Sequence, residues 1–301
     1  LWLGVWILWI CNYAIGQNAE PDSLERALSN SKAAKRIEIL NELAVSNWRI
    51  DPEKFEKFNL QLYNESKAQK SNKGEVLYWL NNCRKYYLLG KSDSMLHYAK
   101  RAISQSSKLS DKTLLSDGLK FMGISYRIVG QLDSSIHFLK MSYNLKVELN
   151  DEVETAKLAY NIGNLYHLKS EYEASVKFLI KAALIDEKLK NFSGYAWDCN
   201  LIGGCYLDLN NLAKAKEYLE KAQQILIQIG DKTGLAENYN FFGNYYLKKE
   251  EYTKAEENYR RSYDLYTETQ NGRGIAGANN NLGMIYEKLG KYDLALKHSL
   301  E

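Results

Sequence analysis

Residues Gly163–Tyr172 read GNLYHLKSEY, with no nucleophile beside a base and no cluster of metal ligands. Their skeleton is a small residue, a tyrosine three places on, a turn and then an aromatic. The skeleton recurs along the chain. Gly123, Gly163, Gly203, Gly243 and Gly283 are spaced 40 residues apart, each followed three residues later by Tyr126, Tyr166, Tyr206, Tyr246 or Tyr286. One further step back reaches Cys83 with Tyr86, and another reaches Leu43, where LNELA parallels the LNNC of Leu80–Cys83. Chance does not hold a register over so many units, and self-similarity at a fixed period is the mark of a repeat array.

The composition supports an all-helical array. The 301 residues are 45% hydrophobic and 26% charged, enough apolar material for a substantial core. Only Pro21 and Pro52 interrupt the chain, too little punctuation for a strand-rich fold. In residues 151–190, Ala156, Ala159, Ile162, Gly163 and Tyr166 fall at helical spacing. SEY breaks that pattern, and Val176, Leu179, Ile180, Ala183 and Leu184 then mark the inner side of a second helix. Gly163 lies mid-helix, where glycine costs about 1 kcal/mol relative to alanine. Five such glycines in register predict close helix-helix contacts that leave no room for a side chain. GNLYHLKSEY therefore reads as the bend of a helical hairpin.

NNLGMIYEKLGKYDLAL (Asn280–Leu296) resembles a tetratricopeptide repeat: Leu-Gly, a tyrosine three later, then an aromatic and a small residue in the second helix. The second-helix small positions fall at Ser135, Ser175, Ala215, Ala255 and Ala295, with a later alanine at Ala182 and Ala222. The units depart from the family in length, 40 residues against about 34, and lack its closing proline. The resemblance, to a long-helix variant, covers roughly residues 31–301. It implies an all-α, right-handed superhelical solenoid of about seven antiparallel hairpins. It also implies a protein or peptide partner held in a concave groove.

Residues 1–17, LWLGVWILWICNYAIGQ, are apolar and aromatic but short for a transmembrane helix. Ala14 and Gly16 precede Gln17 as at a signal-peptidase site, so the segment reads as a signal peptide ahead of an anchor, with residues 18–30 a linker. A lipoprotein signal at Cys11 is disfavoured by Ile10 before it. The chain is expected to be exported and periplasmic, or membrane-attached through this segment or one beyond Glu301. Glu301 falls inside the second helix of the last hairpin, so that repeat is expected to be cut short. Exported arrays of this type resemble the sensory half of membrane histidine kinases or transcription regulators, which places an effector, such as a kinase, beyond residue 301. The competing expectation is a stand-alone structural adaptor or envelope assembly factor.

No enzyme motif is legible in these residues. GRGIAG (Gly272–Gly277) matches the dinucleotide-binding glycine pattern but lies where a loop starts a helix, with no strand before it. His97, His137, His167 and His298 lack metal-ligand spacing, and no metal or cofactor is expected. Cys83, Cys199 and Cys205 read as packing thiols. A formal charge of +3, spread over the repeats, gives no basic stripe for nucleic acid. Most of the 23 tyrosines, the six in register included, read as core and helix-interface residues.

In the resembled family the first helix of each hairpin lines the groove, with exposed positions three before and one after the small residue. Here these are Leu80, Lys120, Tyr160, Asn200, Asn240 and Asn280, then Arg84, Ile124, Asn164, Gly204, Asn244 and Met284. Asn200, Asn240 and Asn280 form a ladder one repeat apart, and Asn244 shares a face with Asn240. An asparagine amide donates and accepts, which suits an extended peptide backbone. Asn164, Asn200, Asn240, Asn244 and Asn280, with Tyr160, Trp197 and Lys157, are thus the candidate peptide-binding residues.

Overall fold

The computed structural model describes residues 21–31 and 33–300, and these form fifteen α-helices without a strand. The expected signal segment, residues 1–17, lies outside the described residues. The chain divides into two compact units, one up to Leu158 and the other from Ala159 onward. The first holds α1 (Pro21–Asn30), α2 (Ala33–Asn47), α3 (Pro52–Ala68), α4 (Asn72–Leu88), α5 (Ser92–Leu109), α6 (Lys112–Ile128) and α7 (Leu132–Glu148). The boundary falls within α8 (Glu152–Leu168). The second holds the rest of α8, then α9 (Tyr172–Lys188), α10 (Phe192–Asp208), α11 (Leu212–Ile229), α12 (Lys232–Lys248), α13 (Tyr252–Glu268), α14 (Gly272–Lys288) and α15 (Tyr292–Leu300). From α2 onward the even-numbered helix opens each hairpin and the odd-numbered helix closes it.

The expected linker is corrected in part, since residues 21–30 are the helix α1. Leu24 and Leu28, one turn apart, pack against the cluster of Ile37, Leu40 and Phe55. The Arg36 guanidinium donates to the Leu28 carbonyl at 3.0 Å, closing the helix end. This helix lies ahead of the repeat register, so periodicity gave no sign of it.

From α3 to α14 each helix and its turn form a module of about equal length. A residue with left-handed backbone recurs every 20 positions: Lys70, Gly90, Ser110, Gly130, Asn150, Ser170, Lys190, Asn210, Gly230, Glu250, Gln270 and Gly290, with φ between 52° and 77°. The first helices also begin in register. Ser71, Asp111, Asp151, Asn191, Asp231 and Asn271 each cap one, the side chain accepting from a backbone N–H three residues on. GRGIAG is the first turn of α14, capped by Asn271.

Packing explains the glycine register. A Cβ at Gly123, Gly163 or Gly203 would lie 2.7 Å from Leu139, Leu179 or Leu219 on the closing helix, and one at Gly243 would lie 2.3 Å from the Tyr259 ring. Gly283 is looser, its nearest neighbour being Ser299 Oγ at 3.1 Å. Ser135, Ser175, Ala215 and Ala255 are fully buried opposite these glycines. The register tyrosines stack on the residue 12 places later: Tyr86 on Tyr98, Tyr126 on Phe138, Tyr166 on Phe178, Tyr206 on Tyr218 and Tyr286 on His298. Cys83, Cys199 and Cys205 are free and buried, and burial pushes the Cys199 thiol up to about 12 and Cys205 to about 11.

Candidate peptide-binding faces

Within each unit the opening helices touch one another: α2, α4 and α6 in the first, α10, α12 and α14 in the second. Each unit therefore presents a wall built from opening helices.

In the second unit, α10 is stapled to the first turn of α12. Trp197 Nε1 donates to Asp231 Oδ2 at 3.0 Å, while Asp231 Oδ1 caps α12. Asn200 Nδ2 donates to the Gly234 carbonyl at 3.1 Å, and Asn200 Oδ1 accepts from Asn238 Nδ2 at 2.7 Å. Asn238 also donates to the Leu219 carbonyl at 2.9 Å. Asn200 is 1% exposed. Its expected place on an open groove is thereby corrected: it is a buried strut between hairpins, because the close approach of α12 at Gly234 covers it. Trp197 is half-buried and held by its indole N–H rather than standing bare.

The other asparagines lie closer to the surface. Asn240 is half-buried, and its Oδ1 accepts from Asn281 Nδ2 at 2.6 Å. Half-buried Asn244 accepts from the Tyr259 hydroxyl at 2.7 Å. Both keep their Nδ2 donors unspent among the described residues. Asn280 is exposed and Asn164 half-buried, and neither amide has a partner among the described residues. Tyr160, half-buried, packs against the cluster of Leu201, Ile202 and Cys205.

The inner-wall register also holds a residue that sequence reasoning missed. Glu237, one repeat after Trp197, has its carboxyl pushed up to about 7, first by burial and then by the neighbouring Asp231 carboxylate. A single glutamate at a helical position carries no pattern from which that could be read.

The wall of the first unit is ionic. Lys120 Nζ donates to Glu154 Oε2 at 2.8 Å and lies 3.4 Å from Asp117. Lys157 donates to Glu154 Oε1 at 2.9 Å. Lys146, its ammonium side chain 4% exposed, sits between Asp151 at 3.1 Å and Asp117 at 3.7 Å. The Lys120 ammonium, followed by Lys157, holds Glu154 well below the usual carboxylate range. Arg84 donates to Asn81 Oδ1 at 2.9 Å and lies over the Phe121 ring. Lys157, expected beside Trp197 and the asparagines, thus works within this network. Leu80 and Ile124, read as exposed, are buried at 1% and 8%. The register names a helical face without telling how deep each position lies.

Among the described residues no three His, Cys, Asp or Glu side chains converge as metal ligands, and no helix is long and apolar enough to cross a membrane. Tetratricopeptide-repeat models match residues 193–268 and, separately, 156–189 and 276–299. A comparison with curated proteins yields no match. Three similar solved structures define the fold. The apo form of RapI gives a TM-score of 0.72 at 14% identity, over 87% of this chain and 94% of that one. A Rap protein complexed with Competence and Sporulation Factor gives 0.69 at 18%, over 88% and 74%. The apo quorum sensor NprR from B. thuringiensis gives 0.68 at 14%, over 93% and 78%.

Proposed function

The chain is built of tetratricopeptide repeats, and on that footing we propose that it is a sensory scaffold that holds an extended peptide segment on its opening helices. The observation that carries this reading is the set of uncommitted amides on one wall. Asn164 and Asn280 have no partner among the described residues, and Asn240 and Asn244 each keep a donor. A peptide backbone presents donors and acceptors along both edges, and amides that do both are suited to it. Tyr160 and Trp197 add aromatic surface, the commonest anchor in such contacts. Asn200 has no part in the contact beyond setting the spacing of α10 and α12.

The signalling half of the reading draws support from the kind of proteins that share the fold. One neighbour is a Rap protein solved with a signalling factor, one is a quorum sensor, and one is a signal-transduction ATPase with a tetratricopeptide repeat sensor. An effector beyond residue 301 and export through residues 1–17 belong to the same proposal. Amino-terminal sequencing of the exported protein from its own cells, starting at Gln17, would support export; retention of residues 1–16 in a cytoplasmic pool would overturn it.

The binding reading is tested by selecting from a displayed library of random linear peptides on the full chain. Enriched peptides should lose most of their affinity for the Asn164→Ala/Asn280→Ala variant, each lost hydrogen bond being worth roughly 0.5–1.5 kcal/mol. The variant's melting temperature should barely move, since neither amide has a partner to lose among the described residues and substitutions outside the core stay within about 0.5 kcal/mol. Failure to enrich any peptide, or enriched peptides indifferent to both substitutions, would sink the proposal.

A further inference from the structure

The opening helices of the second unit differ at one register position, which holds Trp197 on α10, Glu237 on α12 and Gly277 on α14. Trp197 is tied to Asp231 through its indole N–H. Gly277 is exposed, and a Cβ built on it would meet nothing within 4 Å. Glu237, between the two, is half-buried and makes neither a hydrogen bond nor an ion pair among the described residues. By contrast, Asp231 serves Trp197 and the α12 cap, Glu256 pairs with Lys291, and Glu268 pairs with Lys232.

A carboxylate withdrawn from water without a partner is destabilising. Here the next place along the wall, Gly277, is empty of side chain. On the same face of α12, Asn240 and Asn244 stand three and seven residues on, each with an Nδ2 donor unspent. Amides suit a peptide backbone, whereas an ionised carboxylate only accepts, so the group that meets it must bring N–H donors and positive charge. We propose that Glu237 sets the specificity of this wall by pairing with a cationic side chain, arginine or lysine, of the peptide whose backbone Asn240 and Asn244 hold. The side chain fills the space left open at Gly277. This inference rests on the peptide-binding reading and adds to it the chemistry of the peptide.

The charges around Glu237 sharpen the test. Burial, then Asp231, pushes its carboxyl up to about 7. Glu237 in turn acts on the Tyr266 phenol of α13. On the helices packed against α12, α10 carries no Lys, Arg or His, Lys221 of α11 pairs with Glu217, and Arg261 of α13 pairs with Glu257. Arg273, in the first turn of α14, has interactions of its own. Only the ionised carboxylate pairs with a cation. Affinity for a cationic peptide therefore rises with pH through about 7 and falls by up to about tenfold per pH unit below it.

Linear peptides selected from a random displayed library on the full chain, at about pH 8, should carry an arginine or lysine at a fixed place. Exchanging an arginine there for citrulline, which keeps the shape and loses the charge, should weaken binding to the wild type roughly tenfold or more. The same exchange should make no difference to Glu237→Gln, a variant with no hydrogen bond to lose. Between about pH 6 and 8 the affinity should climb for the wild type and stay flat for Glu237→Gln. Peptides that need Asn164 and Asn280 but carry no fixed cation, or that ignore both the citrulline exchange and Glu237→Gln, would overturn this inference and leave the peptide reading standing. Failure to enrich any peptide would sink both.

Discussion

Gly243 and Gly283 occupy the same place in successive repeats, yet their neighbours differ. A Cβ at Gly243 would sit 2.3 Å from the rigid Tyr259 ring, whereas one at Gly283 meets a serine hydroxyl at 3.1 Å that can rotate away. Gly243→Ala should therefore lower stability by roughly 1–3 kcal/mol. Gly283→Ala should be neutral or gain up to about 1 kcal/mol from helix propensity. Denaturant melts of the two variants check this, and equal effects would show that the register glycines have no packing role. The asparagines teach the converse lesson. Asn200, Asn240 and Asn280 are one repeat apart in sequence, but they run from buried through half-buried to exposed. Asn200→Ala should cost roughly 1–3 kcal/mol, since it strands the Gly234 carbonyl and Asn238 in a dry contact. Asn280→Ala should cost almost nothing. Sequence spacing reveals which face a residue occupies; depth depends on how near the next helix comes, and that is decided by residues elsewhere, such as Gly234.

At the scale of the element, the 40-residue repeat was legible and the 20-residue module inside it was not. Opening and closing helices carry different small and aromatic positions, so the two halves of a hairpin do not resemble each other. Their shared feature is a left-handed turn residue, and eight of the twelve are not glycine. Lys70, Lys190, Glu250 and Gln270 give no hint of φ > 0, because the turn is imposed by the helices it joins rather than chosen by its own residue. Such a conformation costs an L-residue roughly 1–2 kcal/mol, partly offset by the entropy that glycine would lose. Glu250→Gly should accordingly raise stability by up to about 1 kcal/mol, as read from a shift in the denaturation midpoint. A loss of similar size would mean that the Glu250 side chain makes contacts which outweigh the strain.

Across the whole molecule the two units carry opposite responses to acid. In the first, Lys120 and then Lys157 hold Glu154 down from its ordinary value of 4.5. The stability this supplies is present above that value and is lost as pH falls through the depressed one. In the second, burial holds the Asp198 carboxyl well above its ordinary value, which yields stability that is whole in acid and drains as pH rises. Hydrogen exchange, corrected for its intrinsic pH dependence, should show residues 112–158 opening more readily below about pH 4 and residues 172–208 opening more readily toward neutral pH and above. Both segments weakening on the same side of the range would contradict this. Underlying both behaviours is the uniform module. Where every turn from α3 onward has the same conformation and every opening helix from α4 onward the same capped start, a stretch running from one Asp or Asn cap to the next can be excised and the ends rejoined without re-fitting either junction. Removing residues 191–230, for instance, would bring Lys190 directly onto Asp231, a left-handed turn onto a helix cap as before. To a gene subject to recombination, the length of this protein is thus a quantity free to drift in whole periods, each step adding or deleting a strip of wall while leaving the joinery unchanged.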